Sequence, residues 1–226
     1  MDSPFLDLVR ERVVVYDGAF GTYVQTLDGL TADDFGGDDL EGCNEILAVT
    51  RPDVIRGLHE TYFAVGADVT ETATFGAFAV PLAEYDIAER AHELNVAAAR
   101  LAREVADDFA TDGSPRFVAG SIGPGTKMPT LGHITYRELR DAYEVQALGL
   151  LEGGVDLFLI ETQNDLLTTK AVINGCRRAM ASAGRRIPFQ VQVTIELTGT
   201  MLPGTEIGSG CVIGAGAVHI RTGRPS

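Results

Sequence analysis

Asp156-Leu157-Phe158-Leu159-Ile160-Glu161-Thr162 is an apolar run that stops abruptly at a carboxylate and a hydroxyl. The same plan recurs at Val13-Val14-Val15-Tyr16-Asp17-Gly18 and at Ala67-Asp68-Val69-Thr70-Glu71-Thr72-Ala73-Thr74-Phe75-Gly76. It returns at Phe117-Val118-Ala119-Gly120-Ser121-Ile122-Gly123-Pro124 and at Val191-Gln192-Val193-Thr194-Ile195-Glu196. Long stretches with helical periodicity separate these runs. Near-continuous apolar strands alternating with helices describe a parallel sheet covered on both faces. In such sheets the polar groups at the C-terminal ends of the strands gather at one mouth. Asp17, Glu71, Ser121, Glu161 and Glu196 are therefore candidates for one shared pocket, although they lie far apart in the chain.

Outward from those runs, Arg10 to Tyr16 reads as the first strand. Pro52 opens a helix with Thr50 as its N-cap and Val54, Leu58, Tyr62 and Val65 as its apolar stripe. Gly66 ends it. Leu82 to Phe109 carries one unusually long Ala-rich helical pattern. Thr135 and Glu138 form a capping box for the next helix. Asp165 caps another, with Leu166, Val172, Ile173 and Met180 on its buried side, and Pro188 leads into the fifth strand. No shift in composition interrupts this β-α order before about Gly208, so residues 1–208 read as one domain. Residues 209–226 are Gly-rich and lack acidic residues, and read as a divergent, poorly structured tail. A closed (β/α)8 barrel takes roughly 250 residues and eight strands. With five legible strands, the expected fold class is α/β, a partial TIM-type barrel that does not close.

Composition narrows the function. A net charge of −14 over 226 residues argues against nucleic acid or an anionic membrane surface as a partner. No apolar run approaches ~18 residues, so no membrane span is expected. Residues 1–7 lack the basic and apolar stretches of a signal peptide. Cys43, Cys176 and Cys211 form neither a disulfide framework nor a CxxC pair, which makes a reducing cytoplasm the expected compartment. Gly120-Ser121-Ile122-Gly123-Pro124-Gly125-Thr126-Lys127 lacks the spacing and ending of a phosphate loop. His59 and His92 read as helix-surface residues and His133 as a loop residue, and none of the histidines has metal-ligand spacing to another. Asp33, Asp34, Asp38, Asp39 and Glu41 read as a solvated acidic loop.

Val14-Val15-Tyr16-Asp17-Gly18-Ala19-Phe20-Gly21-Thr22 resembles the homocysteine-binding domain of homocysteine S-methyltransferases, in particular the N-terminal module of the cobalamin-dependent methionine synthases. The likeness continues through Gly42-Cys43-Asn44-Glu45-Ile46-Leu47, the Ala67 to Ala77 segment, and Ala119 to Gly125. It runs on through the Asp156 to Asp165 segment and Thr198-Gly199-Thr200-Met201-Leu202-Pro203-Gly204. No single piece is diagnostic, but all of them in order are specific. The resemblance implies a (β/α)8 barrel that transfers a methyl group to the sulfur of homocysteine, giving methionine. It implies zinc as the group that turns the thiol into a thiolate nucleophile. Methylcobalamin would be the donor, held on a separate domain, with cobalamin- and folate-binding modules as partners in a full-length relative.

By position, the resemblance assigns Asp17 and Glu161 to the amino-acid end of homocysteine. It puts Gly18, Ala19, Thr72 and Thr74 in the pocket wall. Two carboxylates facing one ammonium suit a desolvated cation. Without the resemblance, Asp17 before Gly18 reads as a turn-forming acid and Glu161 as a helix-capping one. The family's three zinc-binding cysteines have no counterparts here, since Cys43, Cys176 and Cys211 lack that context. The expected metal set is therefore none, and no catalytic residue is assigned. A chain without its zinc ligands is expected to be inactive as written, or to be a non-catalytic remnant that binds an amino acid weakly. The change at residue 209 points to a truncated or frame-shifted gene. A barrel aldolase is disfavoured, because Lys127 and Lys170 lie in a loop and a helix rather than at a strand end.

Overall fold

The computed structural model describes residues 3–194. Glu196, Cys211, His219 and the tail at 209–226 lie outside the described residues. Four parallel strands, β1 (Val69–Glu71), β2 (Phe117–Ile122), β3 (Leu157–Gln163) and β4 (Phe189–Val193), form one sheet in the order β1-β2-β3-β4. The main helices are α1 (Pro4–Glu11), α2 (Phe20–Thr26), α3 (Pro52–Ala64), α4 (Ala91–Phe109), α5 (Tyr136–Gly153) and α6 (Leu166–Ala183). Among the described residues the sheet is open, as a partial barrel requires.

The register sorts the side chains into two layers. Val69 lies beside Phe117, Ala119 beside Leu157, and Leu159 beside Gln190. Val69, Phe117, Ala119, Leu157 and Leu159 cluster with Phe5 of α1 on one face. Val118, Ile122, Phe158 and Ile160 point the other way, into the helical layer with Tyr143, Leu150, Val172 and Cys176. Each fully buried apolar side chain of this kind contributes roughly 1.5–3 kcal/mol. Because strand side chains alternate between faces, the inner columns end upward in Glu71, Ser121 and Glu161.

The expected first strand contracts to a single bridge, Tyr16 beside Val69. Arg10 belongs to α1, which Ser3 caps and Pro4 opens. Past it, Arg12 grips both carboxylate oxygens of Asp68, at 2.8 and 2.7 Å, and Asp68 also accepts from the Val15 amide at 2.9 Å. These side-chain bonds, with backbone bonds from Asp68 and Val69 to the Val15 carbonyl, hold this segment where a longer ladder was expected, and the sheet has four strands rather than five.

Helix boundaries also depart from the sequence expectation in places. Thr50 does not cap α3: its hydroxyl bonds the Ile46 carbonyl one turn back, and Arg51 takes the cap position. The buried stripe of α3 is Ile55, Leu58, His59 and Phe63, while Val65 is 81% exposed, so the helix is rotated from the expected face. Leu82–Phe109 is not one helix. A short turn at Ala79–Leu82 gives way to Asp86 at φ +55, and α4 starts only at Ala91. Aspartate tolerates the left-handed conformation that breaks the helix there. On α6, Leu166 is 80% exposed, whereas Val172 and Met180 are buried as expected. The Thr135–Glu138 capping box and the Asp165 cap are present.

Helices α4, α5 and α6 pack at backbone distance through glycines. A Cβ on Gly149 would lie 2.8 Å from the His92 carbonyl oxygen, and one on Gly153 3.0 Å from that of Val96. A Cβ on Gly175 would lie 2.9 Å from the Arg140 carbonyl oxygen. Nothing larger than hydrogen fits these crossings.

Candidate active site

At the upper end of the sheet three carboxylates converge from three elements. Asp17 follows the Tyr16 bridge, with its amide donating to the Val69 carbonyl at 3.0 Å. Its Oδ2 accepts from the Thr70 hydroxyl at 2.7 Å and from the Glu71 amide at 3.0 Å. Its Oδ1 is buried and has no hydrogen-bond partner among the described residues. Glu71 ends β1. Glu161, on β3, accepts from the Ser121 hydroxyl at 2.5 Å. Directly after Glu161, the pairing with β4 slips between Ile160 and Gln163, and Thr162 sits at φ +57. A β-branched residue in that region carries of order 1–3 kcal/mol of strain, and strain of this kind collects at functional sites. The extra residue is a bulge, a device that re-aims a neighbouring side chain.

The electrostatics are those of an unneutralised acidic cluster. Burial pushes Asp17 up to about 7, against the opposing bonds from Thr70 and the Glu71 amide. Burial also raises Glu71, and the charges of Glu161 and Asp17 raise it further. Glu161 is raised by burial and held back by its bond from Ser121. Among the described residues no Lys or Arg pairs with any of the three. Desolvated, mutually repelling carboxylates are the setting that a cationic ligand stabilises.

The other expected site residues surround this cluster. Gly18 follows Asp17 against the Tyr62 ring, and Ala19 caps α2. Thr72 and Thr74 are buried, with their hydroxyls 2.6 Å apart. Thr74 donates to the Ser121 carbonyl at 2.8 Å, and Thr72 accepts from the Ser121 amide at 3.0 Å. Both hydroxyls thus hold Ser121, which in turn holds Glu161. His59, expected on a helix surface, is fully buried instead, its Nδ1 2.6 Å from the Thr70 hydroxyl. Its spacing of four from both Ile55 and Phe63 was the available signal.

Residues 14–216 match the family model of homocysteine S-methyltransferase. The chain belongs to the homocysteine S-methyltransferase family. Over 208 residues it is 53% identical to the methionine synthase of Mycobacterium tuberculosis and likewise to that of Mycobacterium leprae. The match covers 92% of this chain but 17% of each relative, so the chain spans about one-sixth of their length. The fold is shared with the homocysteine methyltransferase MmuM of Escherichia coli. Its oxidized form gives a TM-score of 0.66 at 20% identity over 84% of this chain and 65% of that one. The metallated form gives 0.65 at 21% identity, over 83% and 66%.

In this homocysteine S-methyltransferase domain the described thiols do not suit a metal. Cys43 and Cys176 are buried in separate clusters. Burial pushes Cys43 up to about 11 and Cys176 higher still. No group of three or more His, Cys, Asp or Glu side chains is arranged to hold a metal ion among the described residues. Two clefts lie elsewhere. One of 380 Å³, beside Arg177, Arg186 and Phe189, is at the opposite end of the sheet. One of 250 Å³ is lined by Glu45, Phe75 and Tyr85, among others. The carboxylate cluster lines neither. None of the described helices is long and apolar enough to cross a membrane.

Proposed function

We propose that this chain is the homocysteine-binding domain of a methionine synthase-like enzyme, and that it holds the amino-acid end of homocysteine on Asp17 and Glu161. The observation that carries the reading is Asp17 Oδ1, a buried carboxylate oxygen left without a partner beside two half-buried acids. An ammonium placed there gains charge-assisted hydrogen bonds and relieves the repulsion among the three carboxylates. Ser121 fixes Glu161, Thr70 fixes Asp17, and Thr72 and Thr74 fix Ser121, so the cluster is organised before a ligand arrives. Glu71 joins the two acids that the family resemblance names. The thiol end of the ligand then lies away from the acids, available to a methyl donor. In a full-length relative that donor would be methylcobalamin on a separate module, with a folate-binding module beside it, working in the cytoplasm.

The zinc of the family resemblance does not fit the described donor set, and the chain's own residues account only for binding and orientation. The chain by itself is therefore read as a binder that transfers no methyl group. Calorimetric titration tests this with L-homocysteine and with 4-mercaptobutanoate, which lacks the amino group. Homocysteine should bind at least about tenfold more tightly. Asp17→Asn and Glu161→Gln should each abolish most of that difference. Equal affinity for the two compounds would overturn the assignment.

A further inference from the structure

His59 is fully buried on α3, and its ring lies against Thr70 of β1. Three atoms form a line behind Asp17: His59 Nδ1 lies 2.6 Å from Thr70 Oγ1, which lies 2.7 Å from Asp17 Oδ2. A threonine hydroxyl has one proton. If His59 carried its proton on Nε2, its bare Nδ1 would need that hydroxyl proton. Thr70 and the ionised Asp17 would then meet lone pair to lone pair at 2.7 Å. If His59 carries its proton on Nδ1, Thr70 accepts from it and gives its own proton to Asp17. Nε2 has no partner among the described residues, so nothing there competes for the proton. Burial, with Arg56 nearby, also holds the ring neutral by lowering its pKa to about 4.

We infer that His59 is a positioning residue: as a neutral Nδ1–H imidazole it commits the Thr70 proton to Asp17 Oδ2, leaving Oδ1 free for a cationic ligand. The histidine never touches the ligand. It sets the direction of a two-bond relay, and the relay decides which oxygen of Asp17 is spent inside the protein. Only the consequence for ligand binding rests on the proposed homocysteine reading, since the relay itself belongs to the unliganded protein.

Two measurements on the full 226-residue chain test it. Long-range ¹⁵N–¹H correlation spectra at pH 8 should show His59, assigned by its loss in His59→Asn, with protonated Nδ1 and bare Nε2. The Nε2–H tautomer would overturn the inference. Second, the Asp17 carboxyl ¹³C resonance, assigned by its loss in Asp17→Asn, is titrated in variants. Thr70→Val, isosteric but without a hydroxyl, should raise the Asp17 midpoint by about one pH unit, because a hydrogen bond to the ionised form is lost. His59→Leu should raise it by less, since Thr70 keeps its proton for Asp17 and loses only the donor that polarises it. His59→Asn, which keeps an N–H at the Nδ1 position, and Thr70→Ser should restore the original midpoint. If His59→Leu does not fold, the contrast between Thr70→Val and His59→Asn decides. An Asp17 midpoint unmoved in Thr70→Val, or raised as far in His59→Asn as in Thr70→Val, would refute the relay. Failure of the wild-type chain to bind homocysteine, with these titrations as expected, would count against the proposed function and leave the relay standing.

Discussion

Replacing Asp17 with asparagine should make the unliganded chain more stable, by an amount that grows with pH. An aspartate ionises near 3.8 in the unfolded chain, and here at about 7 in the fold. Between those values the folded state keeps a proton that the unfolded state has released, so the stability the carboxyl allows falls as pH rises. The loss is negligible below the unfolded value and complete above the folded one. A gap of roughly three pH units at about 1.4 kcal/mol each gives a penalty of about 4 kcal/mol above pH 7, and about 1.5 kcal/mol at pH 5. Asparagine escapes it. Its oxygen can take the Oδ2 position, with the same donors from Thr70 and the Glu71 amide, and its NH2 the position of the unpartnered Oδ1. Urea unfolding of wild type and Asp17→Asn at pH 5 and pH 8 reads the difference. A stability gain at pH 8 exceeding that at pH 5 by about 2.5 kcal/mol is expected. Equal gains at the two pH values, or a loss at pH 8, would refute the reasoning.

Homocysteine affinity should rise between pH 6 and pH 8, with protons released on binding, because the raised carboxylates must ionise to face an ammonium; calorimetry in two buffers of different ionisation enthalpy reads both, and a flat profile counts against the cluster. Gly153→Ala should cost about 1–3 kcal/mol in urea unfolding, since the added methyl meets Ala99 and the Val96 carbonyl; an unchanged midpoint would mean that the helices separate freely. Asp68→Asn should cost about 1–2 kcal/mol at pH 6, where wild type has its bidentate bond to Arg12. Asp68 is held below the usual carboxylate range, so its contribution is present above that range and lost as pH falls through the lowered value. The gap to Asp68→Asn should therefore narrow toward pH 3.

The acids of the site were legible because a strand buried on both faces can place polar groups only at its ends. Asp17, Glu71, Ser121 and Glu161 each close an apolar run, and the sheet brings them to one end. The rest depended on information that hydropathy does not carry. Val13, Val14 and Val15 look like strand, yet the segment pairs only at one bridge and is braced there by the Asp68 side chain, more than fifty residues away. Ala-rich periodicity from Leu82 onward gives no sign that Asp86 turns left-handed. His59 was lost to a stripe assigned to the wrong face: choosing Val54 and Val65 over Ile55 and Phe63 turned a buried histidine outward. The positive φ of Thr162 leaves no mark on composition at all.

The glycine crossings of α4, α5 and α6 leave the outer layer almost no room to give. Strands β2 and β3 lie against helices that meet backbone to backbone, with no compressible side chain between them to absorb a displacement. The separation of Glu161 from Glu71 is set by the ladder that places β2 between their strands, and the helices hold that ladder from behind. A methyl group added at Gly153 or Gly175, far from any ligand, would force the helices to shift where they cross. The outer side of the scaffold thus belongs in any account of how firmly the sheet holds its acids in place.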